Sequence, residues 1–459
     1  MFIGRKKELA ELESRYMEKT PQLVVVYGKR RLGKTALLKE FAKDKTHFFY
    51  VSRETIDNEQ IKLFSEEILS DNPVKEFIST FDNWEKAFLF LVNESKSKKI
   101  LLIVDEFPYI AQNNKEILSV LQKIWDQQND NNEIMFVITG SSLSYIEDEI
   151  LSTESPLYGR TTATIKLDSL SFYDAQGILK SFTLEDQIKY YSILGGIPRY
   201  LKILDHKLSF KENIIKYLIN KFSFLYQEVN LLMREELREP STYYAILSSV
   251  AFGNNTIKDI AKDTLLDKTK INVYLKNLIQ LNVLYKRVPL LLPDEKANQH
   301  RSLYLFNEPY FHFYFRYIVS NLSVIEKMDP DDFFEIKIKP DIDNFIEKNF
   351  QEIGLEYLKR ENANNKLEHH YEMIGNTWNE KVELPLFGFL DESNTLSGRC
   401  FFNRLPSIEE VNELKQLTAL YLNKNKINNI YYYISNLTIS SDLRNLENID
   451  KGIRFIQLV

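Results

Sequence analysis

Cysteine is almost missing from this chain of 459 residues: Cys400 stands alone, so no intramolecular disulfide framework can form, and the composition fits a reducing compartment. Histidine is nearly as scarce. The six are scattered, only His369 and His370 adjoin, and no spacing suits a zinc site. No apolar run approaches the ~18 residues that a membrane-spanning helix needs. The N-terminus, MFIGRKKELAEL, reads as a charged helix rather than a signal peptide. A large positive excess is missing as well. The net charge is −6, so the chain as a whole is not an electrostatic nucleic-acid binder, and only a local basic face would serve. No solenoid-type repeat is visible. What remains is 44% hydrophobic and 27% charged, over a length suited to about three domains. It predicts a cytoplasmic, multidomain, globular protein with no membrane partner.

What is present is organised around Pro21–Lys39, PQLVVVYGKRRLGKTALLK. An apolar, β-rich run (Leu23 to Tyr27) leads into Gly28, Lys29, Arg30, Arg31, Leu32, Gly33, Lys34 and Thr35, and a helical pattern begins at Ala36. Strand, glycine-bounded loop and helix with the spacing GxxxxGKT describe a phosphate loop. Gly28 and Gly33 permit backbone angles that let successive N–H groups converge on a phosphate, and the following helix turns its positive end to the same anion. Lys34 is suited to reach the β- and γ-phosphates of ATP, and Thr35 to offer its hydroxyl to Mg²⁺. A chance match is a poor alternative with both flanking elements in place.

A second strand is expected over His47 to Val51. A third, Ile100 to Val104, ends in Asp105-Glu106. Ligands of an open parallel sheet lie beyond the carboxyl ends of its strands, so both carboxylates arrive on the phosphate side. Asp105 suits a Mg²⁺ ligand held through water, and Glu106 a general base for the attacking water. The fourth strand, Ile134 to Ile138, ends in Thr139-Gly140-Ser141-Ser142, whose hydroxyls either meet the γ-phosphate or cap the next helix. Arg160 precedes a fifth strand, Thr162 to Leu167. It reads either as an arginine that reaches a γ-phosphate, its own or a neighbour's, or as an exposed residue where the strand begins.

From Asp168 the pattern is helical to about Glu239, broken once at Gly195-Gly196-Ile197-Pro198-Arg199, a sharp inter-helix turn. Residues 240–325 then show three helical patterns and two strands, Val283–Val288 and Ser302–Phe306, which is a winged-helix arrangement. Its third helix carries Lys268, Lys270, Asn272 and Lys276, enough to touch DNA phosphates and sparse for sequence readout. The aromatic run Tyr310–Phe315 suits core packing more than a base-stacking platform. A third unit opens with a helix (Phe345 to Leu358) and continues with mixed strands, Asn362 to Asn365 being the clearest loop.

Four features in order, FIGRKKEL, GKRRLGKT, ILLIVDE and the TGSS/LYGR/GGIPRYL series, carry a family resemblance. Over Met1 to Leu201 the chain resembles the prokaryotic ATPase family first recognised in archaea, within the AAA+-related STAND group, and LYLFNEPYFHFYFRYI is similar to the same family. The resemblance implies a five-stranded core, a helical lid and a winged helix, with nucleotide between core and lid. It also implies that Gly4 and Arg5 flank the base, that Thr139 to Ser142 (Ser141 foremost) hold a sensing group, that Arg160 is finger-like, and that Pro198 belongs to a nucleotide-facing lid motif.

The last 130 or so residues resemble the family's domain similar to PD-(D/E)xK nucleases, with departures. Glu347 and Glu383 are retained. Pro385 stands where a metal-binding Asp is expected, and Arg399-Cys400-Phe401 where Glu-Cys-Lys is expected. Hard cations need clustered carboxylates, so this domain is expected to keep the fold without the chemistry. The expected architecture is therefore multidomain α/β: a P-loop parallel core (1–167), a helical lid (168–239), a winged helix (240–325) and an α+β nuclease-like domain (326–459). The expected function is a Mg²⁺-dependent ATP-hydrolysing switch with the last two modules as its output. The alternative is an ATP-dependent DNA-binding or DNA-processing protein that still cuts. ATP and ADP are the expected small-molecule partners, and a protein partner, self-association or DNA remain open.

Overall fold

In the computed structural model the apolar runs ahead of the two motifs become parallel strands of one sheet, with a single strand between them. The structure describes residues 2–458 except 71, 129–131, 237–239, 293–301, 392 and 423–427. The lid's expected end at Glu239 and the chain ends, Met1 and Val459, lie outside the described residues. Two units separate: residues 1–170 with 197–199, and residues 171–196 with 200–459.

In the first unit β1 (Gln22–Tyr27), β2 (His47–Val51), β3 (Ile100–Asp105), β4 (Ile134–Gly140) and β5 (Ala163–Lys166) form one sheet in the order β2-β3-β4-β1-β5. Every pairing is parallel. All residues of β1, β3 and β4 are buried. Helices cover both faces of such a sheet, which is why these strands read as unbroken apolar runs instead of alternating ones. One face is closed by Phe64, Trp84 and Phe88, whose rings meet at 5.1 to 5.8 Å. Truncating a buried aromatic such as Phe88 to alanine costs on the order of 3–5 kcal/mol. Because β4 lies between β3 and β1, the carboxyl ends of these three strands adjoin, and the segments leaving them converge. The expected parallel core is thus present, with β5 trimmed by one residue at each end.

The second unit is helical through Phe172–Leu179 and Leu184–Leu194, each begun by a hydroxyl cap (Ser171, Thr183). Helices Pro240–Ala251, Ile257–Thr264 and Lys268–Gln280 follow, and β6 (Leu284–Arg287) pairs antiparallel with β7 (Leu303–Phe306). The aromatic run is core: Tyr310, Phe311, Phe313, Tyr314 and Phe315 are all buried. The buried hydroxyls find partners, Tyr310 donating to the Leu225 carbonyl and Tyr314 accepting from Asn230 at 3.0 Å. No ring is left for base stacking. His312 in the same run stacks on Phe306, its Nε2 3.1 Å from the Ala251 carbonyl, and burial pushes its pKa down to about 4.

Further on, helix Ile342–Ala363 precedes a second five-stranded sheet. The loop expected from Asn362 is helical to Ala363, and Asn365 turns the chain with φ 55°. Strands β8 (Met373–Trp378), β9 (Glu383–Phe389), β10 (Asn394–Phe401), β11 (Asn428–Ser435) and β12 (Ile453–Gln457) lie in the order β12-β11-β10-β9-β8. The pairs β8/β9 and β9/β10 are antiparallel, and β10/β11 and β11/β12 are parallel. Gln351 fastens the helix to β10, its amide donating to and accepting from the Cys400 backbone at 2.8 Å each way. No described helix is long and apolar enough to cross a membrane.

Candidate nucleotide site

The loop leaving β1 is a cradle of backbone. Gly28 has φ 153° and Gly33 φ 90°, and between them Arg31 adopts φ 74°. A Cβ on Gly28 would lie 2.5 Å from the Leu167 carbonyl oxygen, so only glycine fits there. Helix Lys34–Ala42 starts at Gly33 with no side-chain cap, which leaves its first-turn N–H groups to an anion. Lys34 is 5% exposed, and its ammonium folds back to donate to the carbonyls of Gly28 (2.8 Å) and Lys29 (3.1 Å). Burial pushes its pKa below the ordinary lysine value, while Glu106 and Asp105 pull it upward.

Thr35 joins this loop to the end of β3, its hydroxyl donating to Asp105 Oδ2 at 2.6 Å. A hydroxyl and a carboxylate at that separation are hard oxygen donors of the kind Mg²⁺ takes, so the residues fit that ion. Asp105 is 2% exposed. Its other oxygen accepts from the Thr139 hydroxyl. Glu106 turns sharply at φ 54°, a left-handed angle for a non-glycine residue. Its carboxylate accepts from the Ser141 hydroxyl and from the Ser141 N–H at 3.2 Å. Ser141 thus meets Glu106. The stretch with its three hydroxyls does not split simply between phosphate contact and helix cap.

Gly4 (φ 70°) and Arg5 (φ 61°) form a left-handed pair ahead of helix Lys6–Met17. Arg5 is 7% exposed and donates to the Leu32 carbonyl at 3.3 Å and to the Asp168 carbonyl, with Glu8 at 3.1 Å. Its Nε is buried without a partner, a polar atom that suits a ligand beside the loop. Pro198 opens the short helix Pro198–Leu201 and, with Ile197 and Arg199, belongs to the first unit although the chain on either side belongs to the second.

Arg160 requires a correction. It does not meet the loop of its own chain. Thr162 N–H bonds the Leu23 carbonyl, so Arg160 lies at the amino end of β1, whereas the phosphate loop leaves the carboxyl end. Six residues separate the two ends, ~20 Å at ~3.3 Å per residue. The guanidinium is engaged bidentately by Asp126 (2.6 and 2.7 Å) and donates to the carbonyls of Pro156 and Tyr158.

Beside the C-terminal sheet, on helix Ile342–Ala363, Glu347 accepts from the Phe402 N–H at 3.1 Å and pairs with Arg404 at 2.8 Å. The antiparallel register of Leu386 with Gly398 sets Pro385 across from Arg399, which pairs with Glu413 at 3.1 Å. Glu383 is exposed where β9 begins. Sequence reasoning names Thr139 only as one hydroxyl of a sensing stretch and misses its bonds to Asp105 and Glu106, and it misses Asp126 altogether. A buried threonine at the end of the strand between the two motifs was the available signal for the first, and nothing local marks the second.

A family described as an ATPase domain predominantly from Archaea matches residues 2–204, and one described as Archaea bacterial proteins of unknown function matches residues 314–412. An uncharacterized protein of Methanocaldococcus jannaschii is 32% identical over 392 residues, 85% of this chain and 85% of that one. An uncharacterized ATP-binding protein of the same archaeon is 47% identical over 45 residues, 10% of this chain and 76% of its own. The Walker-type ATPase of Pyrococcus abyssi shares the fold, with a TM-score of 0.50 at 20% identity over 69% of this chain and 96% of that chain.

Proposed function

The chain belongs to the archaeal-type P-loop ATPase family, and from that premise we propose that it binds Mg·ATP in the Gly28–Thr35 cradle, hydrolyses it, and uses the nucleotide state as a STAND-type switch. The observation that carries this reading is the 2.6 Å hydrogen bond from Thr35 to Asp105, which brings loop and acidic turn into one site. In this reading Lys34 exchanges the Gly28 and Lys29 carbonyls for phosphate oxygens, a step favoured because its ammonium is otherwise buried against neutral acceptors. Thr35 and Asp105 are the residues to hold Mg²⁺, which when bound neutralises phosphate charge. Glu106 takes the proton of the attacking water. Gly4 and Arg5 support the base side of the site, and Pro198 is read as part of a nucleotide-facing motif.

Residues 168–239, 240–325 and 326–459 are read as lid, winged helix and nuclease-like module, the last two serving as output. The engagement of Glu347 by Arg404 supports a module that packs or docks and does not cut. A DNA-binding reading is favoured by one observation: helix Lys268–Gln280 exposes Lys268, Lys270 and Lys276 and contains no acidic residue. The ATPase reading is tested by steady-state turnover. Lys34→Ala is expected to abolish hydrolysis with the fold intact, and turnover equal to the parent's overturns it. DNA binding is tested by salt-dependent retention of a duplex, expected to fall when the three lysines are replaced by alanine.

A further inference from the structure

The carboxyl end of β4 enters the acidic turn through one side chain. Thr139 is fully buried, and its single hydroxyl is used twice. The proton is donated to Asp105 Oδ1, and the oxygen accepts the Glu106 N–H at 3.1 Å. The Thr139 carbonyl also accepts the Phe107 N–H at 2.8 Å. The two oxygens of Asp105 are therefore divided, Oδ1 to Thr139 and Oδ2 to Thr35, so a rotation of that carboxylate breaks both bonds. Glu106 holds a left-handed backbone at φ 54°, which persists in a non-glycine residue only where the surroundings over-determine it. Here the surroundings are strand β4 and the residue just past it: Thr139 accepts the Glu106 N–H, and Ser141 donates to both carboxylate oxygens.

We propose that Thr139 is the positioning residue of the hydrolytic site: its hydroxyl orients Asp105 toward Thr35 and fixes the backbone turn that aims Glu106. The inference rests on the roles given above to Asp105 and Glu106. Thr139 acts through these two carboxylates and not on a phosphate, since its hydroxyl already serves both as donor and as acceptor within the turn. Ser141 completes the brace at the side chain of Glu106.

The test uses the full chain and five proteins: the parent, Thr139→Val, Thr139→Ser, Glu106→Gln and the Thr139→Val/Glu106→Gln double variant. Steady-state ATP turnover, Mg²⁺ half-saturation and binding of a fluorescent ATP analogue without metal are measured for each. Thr139→Val is expected to lower kcat by about 10- to 100-fold, the scale of a small misplacement of a reacting group. It is also expected to raise the Mg²⁺ half-saturation and to leave metal-free analogue binding within about threefold. Thr139→Ser keeps the hydroxyl and is expected to recover most of the loss. On the Glu106→Gln background and at saturating Mg²⁺ the valine is expected to change residual turnover by less than about twofold, because the part of its effect that runs through Glu106 is already lost and the part that runs through Asp105 appears in the Mg²⁺ half-saturation. Thr139→Ala replaces the valine if that variant does not fold. Parental turnover in Thr139→Val beside an inactive Glu106→Gln overturns the brace, as does a multiplicative loss in the double variant or a serine as poor as the valine. A Glu106→Gln variant as active as the parent instead overturns the assignment of Glu106, so the two failures are told apart.

Discussion

The two five-stranded sheets of this chain both have carboxylates beside them, at a strand end in the first and on helix Ile342–Ala363 in the second, and they differ in what those carboxylates touch. In the first unit Asp105 and Glu106 are held by neutral donors: the hydroxyls of Thr35, Thr139 and Ser141 and a backbone N–H. Hydroxyls orient an anion without neutralising it, so the charge stays available for a cation or a proton. In the second unit the comparable acid, Glu347, meets the Arg404 guanidinium, and Arg399 faces Pro385 where another carboxylate is expected. A fixed cation cancels the charge in place and repels a divalent ion. The same residue type is therefore a candidate for chemistry in one sheet and for packing in the other.

The comparison breaks most readily at Glu106. Glu106→Gln is expected to bind Mg·ATP like the parent and to lose turnover on the order of 10²- to 10³-fold, the usual worth of a general base. Rapid single-turnover measurements check this, and loss of binding would make Glu106 a structural residue like Glu347.

The second unit makes its own prediction through His312. Its folded pKa of about 4 lies below the ordinary 6.5, so the unfolded chain binds the proton more readily. Stability from this residue is complete above about pH 6.5 and is lost as pH falls toward 4, by up to roughly 3 kcal/mol. Denaturant midpoints between pH 7 and 4.5 should decline, and His312→Phe should flatten the decline. An unchanged slope would remove the buried neutral histidine from the account.

Glu347→Ala sharpens the contrast between the sheets. It is expected to cost about 1–2 kcal/mol through the unpaired Phe402 N–H and the loss of one of Arg404's two carboxylates, Glu410 remaining, and less where water reaches the pair. Plasmid nicking with Mg²⁺ or Mn²⁺ should be absent in the parent. Nicking that disappears in a Glu347→Ala/Glu383→Ala variant would place the second sheet with the first.

The smallest expected effect is at Arg160, whose partner Asp126 is half-exposed at 49%. Arg160→Ala should cost at most ~1 kcal/mol and leave turnover in dilute solution within about twofold. A steep loss in dilute solution would restore the finger in its own chain, and a loss confined to concentrated protein would assign it to a neighbouring copy.

Much of the first unit is legible in the residues alone. The strand His47–Val51 has the expected bounds, and Ile100–Asp105 and Ile134–Gly140 lengthen only at their carboxyl ends. Doubly buried strands announce themselves as apolar runs, and glycine, proline and capping residues punctuate what lies between. Less was legible at the site. Ser141 stood out among three hydroxyl-bearing candidates. Thr139 did not, because its two bonds cross from β4 to β3, and which strands adjoin is not written in either of them.

The sequence by itself determined the phosphate loop, since GKRRLGKT works through contiguous backbone and its spacing is the mechanism. It determined the placement of Asp105-Glu106 at a strand's carboxyl end, and it put Pro385 and Arg399 where the nuclease resemblance expects acids and Phe401 where it expects a lysine. Only the tertiary structure decided that Thr139 holds both acids, that Arg160 sits at the far edge of the sheet with Asp126, and that Glu347 belongs to Arg404. Those pairs lie 33 to 57 residues apart. Their meeting depends on strand order and on which edge each connection returns to. Those are properties of the whole packed sheet, and no local window of residues contains them.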